Sequence, residues 1–371
     1  MKKIIRTSTV PVSLRSLLKG QLRMLSKHYK VIGVSSRGEA LEQLIEQEGV
    51  EIRELDMERK ISIFKDLTSL FKMITLLRKE RPDMVHSITP KAGLITMLAA
   101  KIVGVPIRVH TFTGLIFPTA TGFKQRLLIA MDRLLCRCAT NIYPEGLGVK
   151  KALQAYNITN KPLKVLANGN VNGIDIEYFN PSGFKKQSDD IFRFCFIGRM
   201  VGDKGINELA EAFTKLNANY PKTELVLVGG FEQDLDPLRP ETKEVIDSHT
   251  AINFVGFQAD VRPFLAMSDA FVFPSYREGF PNVVMQAGAM GLPQIVTDIN
   301  GCNEIIVEDE NGVIIPPQDE KALYNAMERF ITSPDEVAEM AKNAREMITS
   351  RYEQSIVWDA ILSEYKLLLG E

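Results

Sequence analysis

A carboxylate and a glutamine flank a turn in the stretch YREGFPNVVMQAG, residues 276–288, which follows the apolar run DAFVFPS. Glu278 lies where a predicted strand has ended, and its carboxylate can accept hydrogen bonds from the hydroxyl groups of a sugar. Pro281 is predicted to be the first helical residue, and the free N–H groups at such a helix start favour a phosphate oxygen. Gln286 lies about one turn or more into that helix, still near Glu278 and the helix start. These residue types indicate a ligand that carries both hydroxyl groups and phosphate.

Two cations flank a second turn, in FCFIGRMVGDKGINELAEAF, residues 194–213. A predicted strand ends at Gly198, a helix begins a few residues later, and Arg199 and Lys204 lie between them. A guanidinium offers a fork of hydrogen-bond donors and an ammonium a compact charge, so the pair suits a diphosphate. Either residue alone is well explained as a surface charge on a loop. Together with the Glu278 turn, they favour diphosphate binding.

The pairing of GRMVGDKG with REGFPNVVMQAG resembles the retaining glycosyltransferases of family 4, which have the GT-B fold. The segments VNGID, FVGF and TDINGCNEII add to this resemblance. It covers most of the second half of the chain strongly and the first half more loosely. It is closest to members that build bacterial capsule, O-antigen or other lipid-linked glycans.

The resemblance implies a donor site for a nucleotide sugar. Arg199 and Lys204 would bind the donor diphosphate and stabilise it as it leaves, and Glu278 would hold hydroxyls of the donor sugar. Gln286 stands where the family usually has Glu to hold the ribose hydroxyls, so ribose binding is expected to persist but weaken. The other positions assigned to donor binding are Gly198, Gly256, Gly279, Phe280, Pro281 and Asn282.

Three further candidates lie in the first half of the chain. His110 ends the predicted strand IRVHTFTG and is expected to face the cleft between the domains. It matches the family histidine that contacts the donor sugar or the acceptor near the reacting carbon, so the resemblance gives it a catalytic role. His86 and Lys91 are predicted acceptor contacts. A lone histidine at a strand end is also typical of a satisfied core residue, and that alternative stays open.

Apolar runs alternate with helix-length amphipathic segments almost throughout. This alternation predicts an α/β fold with parallel sheets covered on both faces. The strand candidates are KKIIRTST, YKVIGVSS, VEIRELD, DMVHSIT, IRVHTFT, TNIYP and LKVLANG in the first half, and FRFCFIG, ELVLVGG, INFVGF, AFVFPS, PQIVTDI and GVIIPP in the second.

The chain length predicts two domains, because 371 residues are too many for one ordinary core. We expect two doubly wound, Rossmann-like domains that face each other across a cleft. The first, residues 1–175, would bind the acceptor, and the second, residues 176–353, the nucleotide-sugar donor. A linker rich in Gly, Pro and Asn is predicted over residues 172–190, and the C-terminal helix, about 354–371, is expected to pack back on the first domain.

The overall net charge of −1 hides an asymmetry. Residues 1–180 carry 28 Lys and Arg against 15 Asp and Glu, a net of +13, and the remainder carries 17 against 31, a net of −14. A basic half attracts anionic lipid, phosphate or nucleic acid, or an acidic domain across a cleft. Residues 119–138 have leucines at helical spacing among Lys and Arg, which fits either a helix packed on its own sheet or one that docks on anionic lipid.

Several function classes lack their signatures in the sequence. No G-x-G-x-x-G follows the first strand, and neither GxxxxGK[ST] nor HExxH occurs, so we expect no cofactor and no metal. No basic motif interleaved with aromatic residues supports nucleic-acid binding. The four cysteines are typical of reduced thiols, and no exported or membrane-spanning segment is evident. The expected location is the cytoplasm, peripheral to the inner face of the cell membrane.

The resemblance thus implies a retaining glycosyltransferase. It would move a hexose or N-acetylhexosamine from a nucleotide sugar, UDP-linked, to a polyprenyl-diphosphate-linked glycan in bacterial surface polysaccharide synthesis. Negative charge grows on the departing diphosphate, so fixed cations are more useful there than a strong base. Two alternatives remain. One is a UDP-sugar 2-epimerase of the same fold, whose acid–base carboxylates are not evident. The other is a non-catalytic nucleotide-sugar-binding protein, against which Arg199, Lys204 and Glu278 argue.

Overall fold

Two six-stranded parallel sheets organise the chain in the computed structural model, which describes residues 1–38, 40–58, 62–185, 190–232 and 236–371. The chain divides into an N-terminal unit, residues 1–173 with 354–371, and a C-terminal unit, residues 174–353. Part of the predicted linker, residues 186–189, lies outside the described residues. Each unit has its own hydrophobic core around its sheet.

The sheet of the N-terminal unit is parallel throughout. Its strands are β1 (Lys3–Thr7), β2 (Lys30–Ser35), β3 (Glu51–Glu54), β4 (Met84–Ser87), β5 (Ile107–Phe112) and β6 (Asn141–Pro144). Their order is β3-β2-β1-β4-β5-β6, so the direction of winding reverses between β1 and β4. Such a reversal is a topological switch point, and it opens a crevice at the carboxyl ends of the two strands.

The sheet of the C-terminal unit repeats this design. Its strands are β7 (Phe192–Ile197), β8 (Thr223–Val228), β9 (Ile252–Gly256), β10 (Ala270–Phe273), β11 (Gln294–Thr297) and β12 (Gly312–Ile315). Their order is β12-β11-β10-β7-β8-β9, which places the switch point between β7 and β10. Strands β7, β8 and β10, inside this sheet, consist almost entirely of buried side chains, as expected for parallel strands covered on both faces, whereas the edge strand β9 is mostly part-exposed.

Helices cover both sheets. Those of the N-terminal unit are α1 (Pro11–Leu17), α2 (Gln21–Ser26), α3 (Ala40–Glu48), α4 (Ile63–Glu80), α5 (Pro90–Val103), α6 (Gly122–Cys138), α7 (Leu147–Ala155) and, at the end of the chain, α15 (Gln354–Leu369). Those of the C-terminal unit are α8 (Ile206–Asn219), α9 (Pro240–Ser248), α10 (Arg262–Ala266), α11 (Asn282–Ala289), α12 (Cys302–Ile305), α13 (Glu320–Thr332) and α14 (Pro334–Tyr352). The described residues also form short 3-10 turns at Phe117–Thr119, Pro181–Gly183 and Gly202–Lys204.

The predicted α/β class with two doubly wound parallel sheets is confirmed. One strand prediction is wrong. The segment LKVLANG, residues 163–169, forms only an isolated bridge from Leu163 to Ile142. Its backbone turns into the left-handed region at Ala167 (φ +49°) and Gly169 (φ +102°), which no extended strand allows.

Helix α15 supplies core residues to the N-terminal unit. Tyr365 is fully buried, and its hydroxyl accepts a hydrogen bond from Arg6 Nη1 at 2.7 Å. Trp358 donates from Nε1 to Asn172 Oδ1 at 2.8 Å, and its ring lies so close to Gly20 that a Cβ there would come within 3.0 Å. The end of the chain is therefore part of the interior of this unit.

Candidate functional site

Two loops meet at the switch point of the C-terminal sheet. One follows β7 and runs from Gly198 to Gly205, and the other follows β10 and runs from Pro274 to Pro281. Because β7 and β10 are parallel neighbours, their carboxyl ends lie at the same edge of the sheet and the two loops leave it side by side. The two turns that the sequence singled out therefore belong to one site.

Gly205 sets the distance between these loops. Its φ is +71°, in the left-handed region, and it ends the 3-10 turn Gly202–Lys204. A Cβ placed on Gly205 would lie 2.1 Å from the carbonyl oxygen of Pro274. Glycine alone tolerates this φ together with this approach. The motif GDKG thus brings Lys204 directly against the loop that carries Glu278.

Lys204 and Glu278 form an ion pair that joins the loops, and their side chains are only 13% and 17% exposed. The Ser275 hydroxyl lies 3.0 Å from Glu278 Oε1. Lys204 Nζ also lies over the ring of Phe273, 5.4 Å from its centroid. Removing one partner of such a pair leaves an uncompensated, largely desolvated charge.

Asp203 fixes the backbone beside this ion pair. Its carboxylate accepts a hydrogen bond from Arg277 Nη2 at 2.8 Å, and its carbonyl accepts one from the N–H of Tyr276, also at 2.8 Å. Its own N–H donates to Asp236 at 2.5 Å. Both turns are held by these bonds, so the ion pair has a defined place at the sheet edge.

Arg199 has a different partner. Its side chain is 48% exposed and forms an ion pair with Glu232, in the loop that follows β8. The structure therefore brings Lys204 and Glu278 together, whereas Arg199 is engaged by a third loop. Exposed ion pairs of this kind contribute little to stability, so the Arg199 guanidinium can leave Glu232 and pair with an incoming anion at a small cost in free energy.

The start of helix α11 differs from the prediction. The helix begins at Asn282, and Pro281 is its N-cap residue with φ −72° and ψ 113°, so the prediction that Pro281 is the first helical residue is wrong. Phe280 is 5% exposed and packs on Tyr352, so its side chain belongs to the core. Gly301 lies against the backbone here, since a Cβ on it would be 2.7 Å from the Cα of Phe280.

The remaining donor-binding candidates lie on neighbouring loops and on α11. Gly198 follows β7, and its N–H donates to Val228 at 2.9 Å. Gly256 ends β9 with φ +71°, and its carbonyl accepts from the N–H of Gly229 at 2.8 Å. Gln286 is partly exposed on α11, and its side chain makes no hydrogen bond to any residue that the structure describes. Contacts of Gly198, Gly256, Gly279, Phe280, Pro281, Asn282 and Gln286 with a ligand stay a prediction.

His110 is buried in the N-terminal unit, which fits the alternative of a satisfied core residue. It lies inside β5, is 1% exposed, and its Nδ1 is 2.8 Å from the hydroxyl of Ser87. Its ring meets Phe112 edge-on, and Gly93 on α5 makes room for it, because a Cβ there would be 2.5 Å from His110 Cε1. Burial lowers the pKa of His110 to about 3. A catalytic role for this residue stays a prediction.

His86 and Lys91 are both engaged within the N-terminal unit. His86 is 3% exposed, with Nδ1 2.5 Å from the hydroxyl of Tyr365 and Nε2 2.7 Å from that of Thr111. Burial, reinforced by the nearby Arg6, lowers the pKa of His86 well below its usual value. Lys91 opens α5, pairs with Asp66 at 2.7 Å, and borders a cavity of this unit. Acceptor contacts of His86 and Lys91 stay predictions.

Among the described residues, no group of three or more His, Cys, Asp or Glu is arranged to hold a metal ion. No described helix is both long and apolar enough to cross a membrane.

Sequence reasoning missed the residues that hold the two loops together. Asp203 and Arg277 lie inside the two quoted motifs and Ser275 directly precedes the second, but each has a partner in the opposite loop or in a neighbouring one. The sequence alone does not indicate these residues, because their roles depend on the contact between Gly205 and Pro274.

Two family models match successive parts of the chain. The model described as "Glycosyl transferase 4-like domain" matches residues 21–169, and "Glycosyl transferases group 1" matches residues 180–347. The capsular polysaccharide biosynthesis glycosyltransferase CapM of Staphylococcus aureus is 32% identical over 378 residues, which cover 100% of this chain and 98% of that protein. The UDP-Gal:alpha-D-GlcNAc-diphosphoundecaprenol alpha-1,3-galactosyltransferase of Escherichia coli is 29% identical over 308 residues, 79% of this chain and 78% of that protein.

Solved structures share the same architecture. Alr3699/HepE of Anabaena, crystallised in complex with UDP, superposes with a TM-score of 0.81 at 19% identity, over 99% of this chain and 100% of that chain. At this level of identity the likeness shows a common fold.

We expect Gly205→Ala to destabilise the C-terminal unit more than Gly291→Ala. Both glycines have φ in the left-handed region, +71° and +83°, so each alanine adds about 1–2 kcal/mol of backbone strain. Gly291 has no atom within 4 Å of its Cβ site, whereas Gly205 has the Pro274 carbonyl at 2.1 Å. The excess loss for Gly205→Ala should be at least about 1 kcal/mol in urea unfolding. Equal losses would contradict the proposed close approach.

Acid is expected to destabilise the N-terminal unit through His110. The unfolded histidine titrates near its usual pKa of about 6.5, and the folded one near 3, so below pH 6.5 only the unfolded chain takes up the proton. The stabilisation is complete above about pH 6.5 and falls by about 2 kcal/mol between pH 7 and pH 5. His110→Asn should remove that part of the slope in unfolding free energy, and His28→Asn, at an exposed position, should not. An unaltered slope in His110→Asn would refute this account.

Proposed function

The chain belongs to the glycosyltransferases that these two family models describe, and on that premise we propose which reaction it catalyses. Its fold is GT-B, with two doubly wound α/β units, and it is similar over its full length to a capsular polysaccharide glycosyltransferase. We propose that it transfers a hexose or N-acetylhexosamine from a UDP-sugar to a lipid-linked sugar acceptor, with retention of anomeric configuration. The C-terminal unit would bind the donor and the N-terminal unit the acceptor.

One observation carries the proposal: the Lys204–Glu278 ion pair at the switch point of the C-terminal sheet. A nucleoside diphosphate sugar presents phosphate oxygens and ring hydroxyls side by side. Such a ligand can separate the pair while satisfying both partners, because the ammonium moves to the diphosphate and the carboxylate accepts from the sugar. Neither a simple phosphate nor a neutral sugar would compensate both charges. The site therefore favours a ligand that combines the two groups.

The same arrangement suits departure of the diphosphate. Negative charge grows on the leaving phosphate as the glycosidic bond breaks, and a fixed cation stabilises that charge without reorganising. Lys204 is held by the 3-10 turn and by Glu278, and Arg199 can reach an anion by leaving its exposed pair with Glu232. Glu278 would keep the transferred ring in place. Retention by same-face attack, with the leaving phosphate assisting deprotonation of the acceptor, needs no carboxylate opposite Glu278, and the other carboxylate of the two loops, Asp203, is already engaged by Arg277.

The choice of UDP and of a lipid-linked acceptor is supported by relatives. The name of the Escherichia coli relative specifies a UDP-Gal donor and a diphosphoundecaprenol-linked acceptor, and Alr3699/HepE was crystallised with UDP. Gln286 on α11 has an uncommitted amide, so it can still accept one hydrogen bond from a ribose hydroxyl while donating another.

We further propose that the N-terminal unit contacts an anionic membrane surface, where a lipid-linked acceptor is presented. This unit carries 29 Lys and Arg against 16 Asp and Glu. On α6, Leu135 is buried, whereas Phe123, Leu127 and Leu134 are 80%, 37% and 41% exposed at helical spacing. Helix α4 likewise exposes Phe64 and Phe71. Exposed aromatic and aliphatic side chains among cations are typical of interfacial helices.

Phe123→Ser combined with Leu127→Ser is expected to weaken binding to vesicles that contain phosphatidylglycerol by about tenfold or more, since each apolar side chain contributes about 1.5–3 kcal/mol when buried. Co-sedimentation at low and high salt measures this, and salt should weaken the wild type further. Leu367→Ser, at a 70% exposed position of α15, is the control and should leave binding unchanged. Equal binding by the double variant would refute docking through α6.

Lys204→Met and Glu278→Gln should each lower kcat/KM for sugar transfer by about 10²–10³, because each removes a group that acts on the transition state. Their effects on UDP binding should differ. UDP carries the diphosphate but no transferred sugar, so Lys204→Met should weaken it clearly and Glu278→Gln only slightly. Isothermal calorimetry with UDP and transfer assays with UDP-sugars measure both quantities.

The matched control is Lys215→Met, which removes a half-exposed lysine that pairs with Glu211 on the same unit. It should leave both kcat/KM and UDP affinity unchanged. Equal loss of UDP affinity in Lys204→Met and Glu278→Gln would contradict the separate roles. The anomeric configuration of the product, read by NMR, decides the proposed retention, and free epimer formed without acceptor would favour an epimerase instead.

A further inference from the structure

A cavity of about 360 Å³ lies at the switch point of the N-terminal sheet. Thr9 and Val10, which follow β1, and Thr89 and Pro90, which follow β4, form one side of it. The hydroxyls of Thr9 and Thr89 are 2.8 Å apart, so they satisfy each other and tie the two loops together. Doubly wound sheets bind ligands at this kind of point, and the volume is within the usual range of small-molecule sites, about 300–1,000 Å³.

Most of the cavity wall is apolar. Helix α5 contributes Leu94, β5 contributes Phe112 at its carboxyl end, and α6 contributes Leu128 and Met131. These side chains come from three different elements and present a continuous hydrocarbon and aromatic surface. Such a surface suits either the C–H face of a sugar ring or a purely hydrocarbon ligand.

Asp132 interrupts this apolar wall. It lies on α6 one turn after Leu128, lines the cavity, and makes no hydrogen bond or ion pair with any residue that the structure describes. Burial raises the pKa of its carboxyl group to about 7. Its side chain is partly exposed to the cavity, and a partly desolvated carboxylate without a partner in an otherwise apolar wall is a candidate for ligand binding.

The other polar groups at the cavity are either engaged or are hydroxyls. Lys91 borders the cavity and pairs with Asp66 at 2.7 Å. Ser13 on α1 lines the cavity, and its side chain makes no hydrogen bond within the described part of the chain. The cavity thus offers one carboxylate that can only accept, when ionised, and one hydroxyl that can donate or accept.

This combination selects among possible occupants. A phosphate group would be repelled by the Asp132 carboxylate. A hydrocarbon chain would fill the apolar wall but leave that carboxylate buried without a partner. A sugar ring satisfies both features, because its C–H face packs on Phe112 and Leu128 while a ring hydroxyl donates to Asp132.

We propose that this cavity binds a sugar ring of the acceptor, with Asp132 accepting a hydrogen bond from a ring hydroxyl and Ser13 contacting a second one. The identification of this sugar as the acceptor rests on the proposed function, whereas sugar binding by the cavity does not depend on it. Asp132 is a binding residue in this account, and its role is specificity for a hydroxylated ring over a hydrocarbon.

The test uses the full chain saturated with UDP, so that the C-terminal site is occupied. The probes are the methyl glycosides of glucose, galactose and N-acetylglucosamine, with geraniol as a hydrocarbon probe, and binding is followed by saturation-transfer NMR. At least one glycoside should bind the wild type. Asp132→Leu should raise its Kd by about tenfold or more and Asp132→Asn by a smaller factor, since a hydrogen bond to a charged group is lost or weakened. Ser13→Ala should raise it by a few fold.

The control variant is Asp359→Asn, which removes an exposed carboxylate from α15 of the same unit and should leave every Kd unchanged. The Asp132 variants should fold, because the group they replace has no partner, and their thermal midpoints check this. Three outcomes would overturn the proposal: glycoside Kd values that do not change in the Asp132 variants, no glycoside binding at the solubility limit, or geraniol binding in place of glycosides. Full transfer activity in Lys204→Met and Glu278→Gln would instead defeat the proposed function while leaving sugar binding at Asp132 intact.

Discussion

The close approach of Gly205 to Pro274 is the constraint on which the C-terminal site depends. It places two loops from neighbouring strands in backbone contact, and no side chain fits between them. Because the loops touch, Lys204 and Glu278 can pair across the gap although they are far apart in sequence. A longer separation would leave both charges to water, and the lysine would behave as an ordinary flexible surface residue. The glycine therefore determines the electrostatics of the site, even though it carries no functional group.

The two units use one topology for two kinds of chemistry. Both sheets reverse their winding between the first and fourth strand of the unit, and in both the loops at that point form the candidate site. In the C-terminal unit these loops carry paired charges, which suits an ionic ligand. In the N-terminal unit they border an apolar cavity with a single carboxylate, Asp132, which suits a neutral hydroxylated ring. The local chemistry of each switch point is thus consistent with the division into a donor unit and an acceptor unit, which the resemblance implies and which we propose.

The sequence predicts the fold well because its signals are local. Alternating apolar runs and amphipathic segments indicate the strands and helices of a doubly wound sheet, and glycine-containing turns after β7 and β10 mark the loops that carry Lys204 and Glu278. Contacts that depend on distant residues are not visible in the sequence. His110 is covered by α5, whose Gly93 makes room for the ring. The segment IRVHTFTG alone does not indicate that this helix packs there. Arg199 finds Glu232 in a loop that the motif does not include.

In the N-terminal unit, the hydrogen-bond partners of polar groups distinguish structural residues from functional ones. His86 is buried, and its two ring nitrogens lie within hydrogen-bond distance of the hydroxyls of Tyr365 and Thr111. His110 is buried against the Ser87 hydroxyl. Groups that are satisfied in this way need no ligand to explain them, which weakens the functional interpretation of both histidines. Asp132 is the opposite case, because it is partly buried, lies in an otherwise apolar cavity wall and has no partner among the described residues. A polar group that the fold leaves without a partner, in a cavity of ligand size, is stronger evidence of a binding role than a residue type that merely matches a catalytic motif.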